Sequence, residues 1–263
     1  MKHALALLCL SAALLTGERV AAADSAEIDC PKTNQFAGLG TTLPMTAAAL
    51  RRGDELVVVA IGSSSTSGVG ATDRAHAYPA RLENELRRRW PGKRVHVINK
   101  GIGGEEAGQM IARFERDVLS QNPDLVIWQA GTNMMLRNGN KETLLPLLRA
   151  GVQTLKSKHI DVVLMDPQYA PKVTDVPVHR EFVATIAQVA EEQRIGLFHR
   201  FALMRDWIDT DAFAVNDVIS PDKLHMNNVS YTCVARGLAA GIADAVRATP
   251  VPMAVQHGAI SQR

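Results

Sequence analysis

The sequence predicts an α/β fold with a parallel sheet covered by helices on both faces, and two observations carry that prediction. Five short runs, at residues 56–61, 94–98, 124–130, 160–165 and 195–198, are apolar enough to be strands with both faces buried. Between them lie stretches with apolar residues at helical spacing, long enough to cross from one parallel strand to the next. Right-handed crossovers then bring all five strand C-termini to one edge, where open α/β sheets place their ligands.

Taken in order, the chain opens with a basic Met1-Lys2-His3, an apolar run from Ala4 to Leu15, and Ala21-Ala22-Ala23. Residues 1–23 therefore read as a secretory signal peptide, and the mature protein is expected in a periplasm or outside the cell. The apolar run is too short to cross a bilayer and is broken by Glu18-Arg19, so no stable membrane insertion is expected. Residues 24–50 lack a sustained period and read as an N-terminal extension over the domain surface. Residues 51–249 form the expected domain and 250–263 a loose tail. With the leader removed, Cys30 and Cys233 are the two cysteines left. In an oxidising compartment they are a candidate disulfide from the extension to the last helix; two buried free thiols are the alternative.

The first strand ends in Gly62-Ser63-Ser64-Ser65-Thr66-Ser67-Gly68, small residues that permit a tight turn, and residues 68–76 read as loop. Tyr78-Pro79 opens a helix carrying Leu82, Leu86 and Trp90 on one face, ended by Pro91-Gly92. The second strand leads into Asn99-Lys100-Gly101-Ile102-Gly103-Gly104 and then a helix with Ala107, Ile111, Phe114 and Val118 on one face. Gly131-Thr132-Asn133 closes the third strand, and a helix is expected over 144–158, with Pro146 tolerable only in its first turn. The fourth strand stops at Asp166-Pro167, before a helix over 178–193. After the fifth strand, an irregular acidic stretch over 206–221 precedes Asp222-Lys223-Leu224-His225 and a final helix over 228–246.

Chemistry concentrates at the strand ends. A serine hydroxyl is a weak nucleophile until a base takes its proton. Ser64 follows the first strand, and His225 is the best base on offer. Asp222, three residues earlier, can accept from one imidazole nitrogen while the other faces Ser64. An oxyanion formed on attack needs donors, and the edge offers the N–H of Ser64, the N–H of Gly104 and the amide of Asn133. Taken singly, each of these residues has a plain structural reading as a turn former or cap.

In this order the motifs resemble those of the SGNH hydrolases, the GDSL esterase/lipase family. Ser64 stands at the nucleophile position, Gly104 and Asn133 at the oxyanion positions, and Asp222-Lys223-Leu224-His225 matches the family's Asp-x-x-His. The resemblance spans Gly62 to His225. It implies a three-layer α/β/α flavodoxin-like fold with a five-stranded parallel sheet, and hydrolysis of acyl esters through an acyl-enzyme, with no metal or other cofactor. Two departures stand out: Ser63 where the family usually has aspartate, and Met134 where aspartate commonly follows the asparagine. Polysaccharide O-acetyl ester cleavage, or carbohydrate or lipid binding on a non-catalytic scaffold, are the alternatives; a small acyl ester or acylated glycan is the expected substrate.

Other signals weigh less. A net charge of +2 argues against a broad nucleic-acid-binding face. Glu106 stands where a dinucleotide fingerprint wants glycine, and the histidines lack metal-ligand spacing. Arg87-Arg88-Arg89 suits the solvated end of a helix. Met134 and Met135 allow two readings, ordinary packing under a loop or a flexible apolar wall for an acyl group.

Overall fold

The protein is described from a computed structural model, over residues 28–31 and 33–251. The expected signal peptide and most of the expected tail lie outside the described residues.

Five parallel strands form one sheet in the order β2-β1-β3-β4-β5. They are β1 (Leu56–Gly62), β2 (Val95–Gly101), β3 (Leu125–Gln129), β4 (Asp161–Met165) and β5 (Gly196–Phe198). The central strands β1, β3 and β4 are almost wholly buried, which is why their sequences run apolar without alternation. Registry pairs Gly62 with Gly101 and Ile61 with Trp128, so the C-termini of β1, β2 and β3 end level. The strand order reverses between β1 and β3, and the crevice at that switch point is where doubly wound sheets bind ligands.

Helices cover both faces. On one, α1 (Pro44–Arg52) and α3 (Tyr78–Arg89) pack against the C-terminal helix α12 (Asn228–Arg247). On the other, α4 (Ala107–Ala112) and α9 (His179–Gln193) pack on α7 (Lys141–Ser157). Short helices occupy the connections: α2 (Ser64–Ser67), α5 (Phe114–Asp117), α6 (Thr132–Leu136), α8 (Pro171–Thr174), α10 (Arg200–Asp209) and α11 (Val215–Val218). The three-layer α/β/α architecture expected from the sequence is the one observed.

Four local readings change. The N-terminal extension is not a surface strap: Ala37, Leu39 and Leu43 are buried, α1 is a helix, and the Leu197 N–H donates to the Leu39 carbonyl. The helix expected over 107–118 breaks at Arg113, whose side chain turns into the protein. Helix α7 begins a turn earlier than expected because Asn140 caps it, accepting from the Thr143 N–H at 2.9 Å; Pro146 therefore lies inside the second turn. The stretch over 206–221 is not irregular throughout, since α10 runs on to Asp209 and buries Trp207, and α11 spans Val215–Val218.

Cys30 and Cys233 form a disulfide with their Cα atoms 5.3 Å apart, tying the N-terminal segment to α12. Among the described residues, no helix is long and apolar enough to cross a membrane.

Candidate active site

Two strand ends and two glycines make the turn that carries Ser64. Ser63 precedes α2, and Ser64 is the first residue of that helix, where backbone N–H groups have no intrahelical acceptor. The turn is tight enough to exclude side chains at its neighbours. A Cβ on Gly62 would lie 2.1 Å from Thr66 Oγ1, and one on Gly101 would lie 2.1 Å from the backbone N of Ser67. The Ile102 N–H donates to the Gly62 carbonyl at 3.0 Å, which draws the glycine-rich loop after β2 alongside Ser64. A Cβ on Gly103 would come within 3.9 Å of the Ser64 Cβ.

His225 arrives from the far end of the chain on a short folded-back segment. Ile219 and Met226 form an antiparallel bridge, and the Ser220 N–H donates to the His225 carbonyl at 2.8 Å. Lys223 adopts the left-handed region at φ 62°, which lets Asp222 fold back toward His225. Asp222 Oδ1 accepts from the N–H groups of Leu224 and His225, each at 2.9 Å. Its Oδ2 lies 2.5 Å from His225 Nδ1. The opposite ring nitrogen, Nε2, lies 2.8 Å from Ser64 Oγ. Burial pushes the Asp222 carboxyl up, but the hydrogen bonds from the His225 ring and from the two backbone N–H groups outweigh it, and the group is held down to about 2. An ionised Asp222 fixes Nδ1 as the protonated nitrogen and leaves Nε2 free to accept the serine proton.

Gly104 and Asn133 meet across the β1–β3 crevice. Gly104 has φ 81°, a conformation that favours glycine. The Asn133 amide nitrogen donates to the Glu105 carbonyl at 2.8 Å, which uses one of its two hydrogens and pins the side chain against the same loop. Arg137 pairs with Glu106 at 2.7 Å and brings its Nη2 within 3.4 Å of where a Gly104 Cβ would lie. Met134 and Met135 are both buried, Met135 completely, and both belong to the hydrophobic core, which fits the packing reading of the two.

Three supports were not read from the sequence. Gln129, at the end of β3, accepts through Oε1 from the Ser63 N–H and Ser63 hydroxyl, both at 3.0 Å. That pair occupies the place where the family commonly has aspartate. Arg113, buried, donates to the Lys100 carbonyl at 2.8 Å and pairs with Glu105 at 2.7 Å, holding the loop that carries Gly104. Gln168, just past β4, donates to the Leu224 carbonyl at 3.1 Å. Each is a polar residue at or near a strand end, or on an apolar helical face. The only sequence signal was that burial there requires a partner.

The chain is an enzyme of the SGNH hydrolase class, acting on carboxylic esters. It belongs to the non-GDSL lipase-like family, whose model matches residues 29–248. It is 28% identical to an acetylxylan esterase of Geobacillus stearothermophilus over 180 residues, covering 60% of this chain and 77% of that protein. An arylesterase of Vibrio mimicus is 26% identical over 159 residues, covering 59% and 74%. Among solved structures, a two-domain esterase active on acetylated mannans shares the fold with a TM-score of 0.68 at 17% identity. The match covers 83% of this chain but 60% of that one. The Geobacillus stearothermophilus acetylxylan esterase Axe2 matches with a TM-score of 0.61 at 21% identity, covering 71% and 94%.

Proposed function

We propose that this chain is an exported serine esterase that cleaves acyl esters through Ser64, His225 and Asp222. The observation that carries the reading is the chain of contacts from Asp222 through both ring nitrogens to Ser64 Oγ. His225 Nε2 takes the hydroxyl proton as Ser64 attacks the ester carbonyl. The oxyanion is met by the N–H groups of Ser64 and Gly104 and by the second amide hydrogen of Asn133. The imidazolium, stabilised by Asp222, protonates the leaving alcohol and frees it. Water then attacks the acyl-Ser64 ester, again losing its proton to His225, and releases the acid. These steps use side chains and backbone alone.

Among esters, an acetyl group on a glycan is the substrate we favour. Support comes from the acetylxylan esterase at 28% identity and from the fold shared with an esterase active on acetylated mannans. Export is supported by the leader-like residues 1–23 and by the Cys30–Cys233 bond, which persists in oxidising compartments. The test is to incubate the mature protein with acetylated xylo- and manno-oligosaccharides and with p-nitrophenyl esters of graded acyl length. Loss of 42 Da per acetyl, at a kcat/KM that falls as the acyl chain lengthens, is expected, and Ser64→Ala is expected to abolish both activities. Cleavage of long-chain esters with untouched acetylated glycans would overturn the glycan reading.

A further inference from the structure

Beneath these groups runs a buried polar column that the mechanism above does not use. Arg200, the first residue of α10, has no exposed surface. A guanidinium withdrawn from water is unfavourable unless its donors are engaged. Arg200 Nε donates to the Asp166 carbonyl at 3.0 Å and Nη2 donates to Gln168 Oε1 at 3.1 Å. Its Nη1 has no hydrogen-bond partner among the described residues. Asp166, also buried, accepts from the Phe201 N–H at 2.8 Å. Burial pushes the Asp166 carboxyl up to about 7 and the Arg200 guanidinium down to about 10. An apolar side chain would fill this space with none of that burden, so the cation is explained by what it holds.

What it holds is the Gln168 amide. With Oε1 turned to the guanidinium, the amide nitrogen must face the other way, and there it donates to the Leu224 carbonyl at 3.1 Å. Leu224 immediately precedes His225. The same Oε1 accepts from Ser65 Oγ at 3.4 Å, and Ser65 immediately follows Ser64. One buried amide therefore touches the chain neighbours of both the nucleophile and the base, from a strand end that carries neither. The two residues it links are 159 positions apart in sequence and share no element.

We propose that Gln168 is a positioning residue of the ester hydrolysis, oriented by Arg200, and that the pair sets the approach of His225 Nε2 to Ser64 Oγ. The inference rests on the reading of Ser64 and His225 given above. A base held slightly out of line slows proton transfer without weakening substrate binding, so the effect belongs in kcat rather than KM.

Gln168→Glu separates this role from a purely structural one. Assayed at about pH 9, well above the value of about 7 to which burial pushes the neighbouring Asp166, the new carboxyl is ionised; it still accepts from Arg200 and Ser65 but has no hydrogen for the Leu224 carbonyl. The variant and the wild type are titrated with a fluorophosphonate, and kcat is expressed per reactive site. We expect KM to stay within about twofold and kcat per site to fall about 10- to 100-fold. A merely structural role would change Tm or the number of titratable sites and leave kcat per site alone. Wild-type kcat per site, or a displaced acid limb of the pH profile with an unchanged plateau, would overturn the proposal. Should Gln168→Glu not fold, Ser65→Ala carries the test, with kcat per site expected to drop about 3- to 10-fold at unchanged KM; no drop would overturn it. A wild-type protein that does not label at Ser64 strikes the triad reading itself, whereas labelled wild type with an unimpaired Gln168→Glu strikes only the positioning role.

Discussion

In the proposed mechanism Ser64, His225 and Asp222 each do one thing, and the contacts between them fit those roles. Asp222 is the group whose contribution is most readily measured apart from activity. Its folded-state acidity lies below the unfolded value of 3.8, at about 2, because the His225 hydrogen bond and two backbone N–H groups overcome the cost of burial. A carboxyl shifted down in this way adds stability that is fully present above its unfolded value and is lost as pH falls toward its folded one. Asp222→Asn is therefore expected to be less stable than wild type at pH 7, with the gap in urea midpoints closing between about pH 4 and 2. Its kcat is expected to fall about 10²- to 10⁴-fold, because an amide can pair with the wrong ring tautomer. An Asp222→Asn enzyme turning over at the wild-type rate would remove Asp222 from the mechanism. The meeting of Ser64, His225 and Asp222 at one edge was legible because the proposed chemistry needs particular side chains at strand ends. Gln129, Arg113 and Gln168 were not, because a polar residue in a core looks like any other until its partner is known, and those partners lie 8 to 103 positions away.

At the scale of elements, the site depends on how closely β1, α2 and β2 approach. Gly62 and Gly101 are paired across the two strands, and α2 sits over both. A methyl on Gly101 meets backbone atoms of Thr66 and Ser67, neither of which can swing aside. Gly101→Ala is expected to cost about 1–3 kcal/mol of stability, read from denaturant midpoints, and to lower kcat more than it raises KM. A wild-type midpoint would show that the turn has room the distances deny. The sequence marked this turn by its run of glycines and serines. It gave less warning of α10, whose buried Phe201, Met204 and Trp207 recur every third residue and then break off. The break in the helix at Arg113 likewise follows from a side chain drawn inward by carbonyls of β1 and β2, a tertiary demand that no local spacing records.

For the whole molecule, winding decides the outcome. The order β2-β1-β3-β4-β5 opens a crevice between β1 and β3, and the chain places Ser64 on one side and Asn133 on the other. Alternation of apolar runs and amphipathic stretches made this architecture readable before any coordinate. What stayed hidden was the part played by residues 28–50, since Leu39, Leu43 and α1 pack into the core without an obvious period. The Cys30–Cys233 bond closes a loop of 203 residues' separation and anchors that segment to α12. Replacing both cysteines by serine is expected to lower stability by about 2–5 kcal/mol, measured by denaturant unfolding without reductant, while kcat is retained. An unchanged midpoint would mean that core packing alone fixes the segment.

The most direct measurement is of where a fluorophosphonate attaches and how fast. Peptide mass spectrometry of the treated wild-type protein should find one adduct, on Ser64, and the rate of its formation should collapse in His225→Ala. Modification at a different serine, or labelling of His225→Ala as rapid as wild type, would contradict the account.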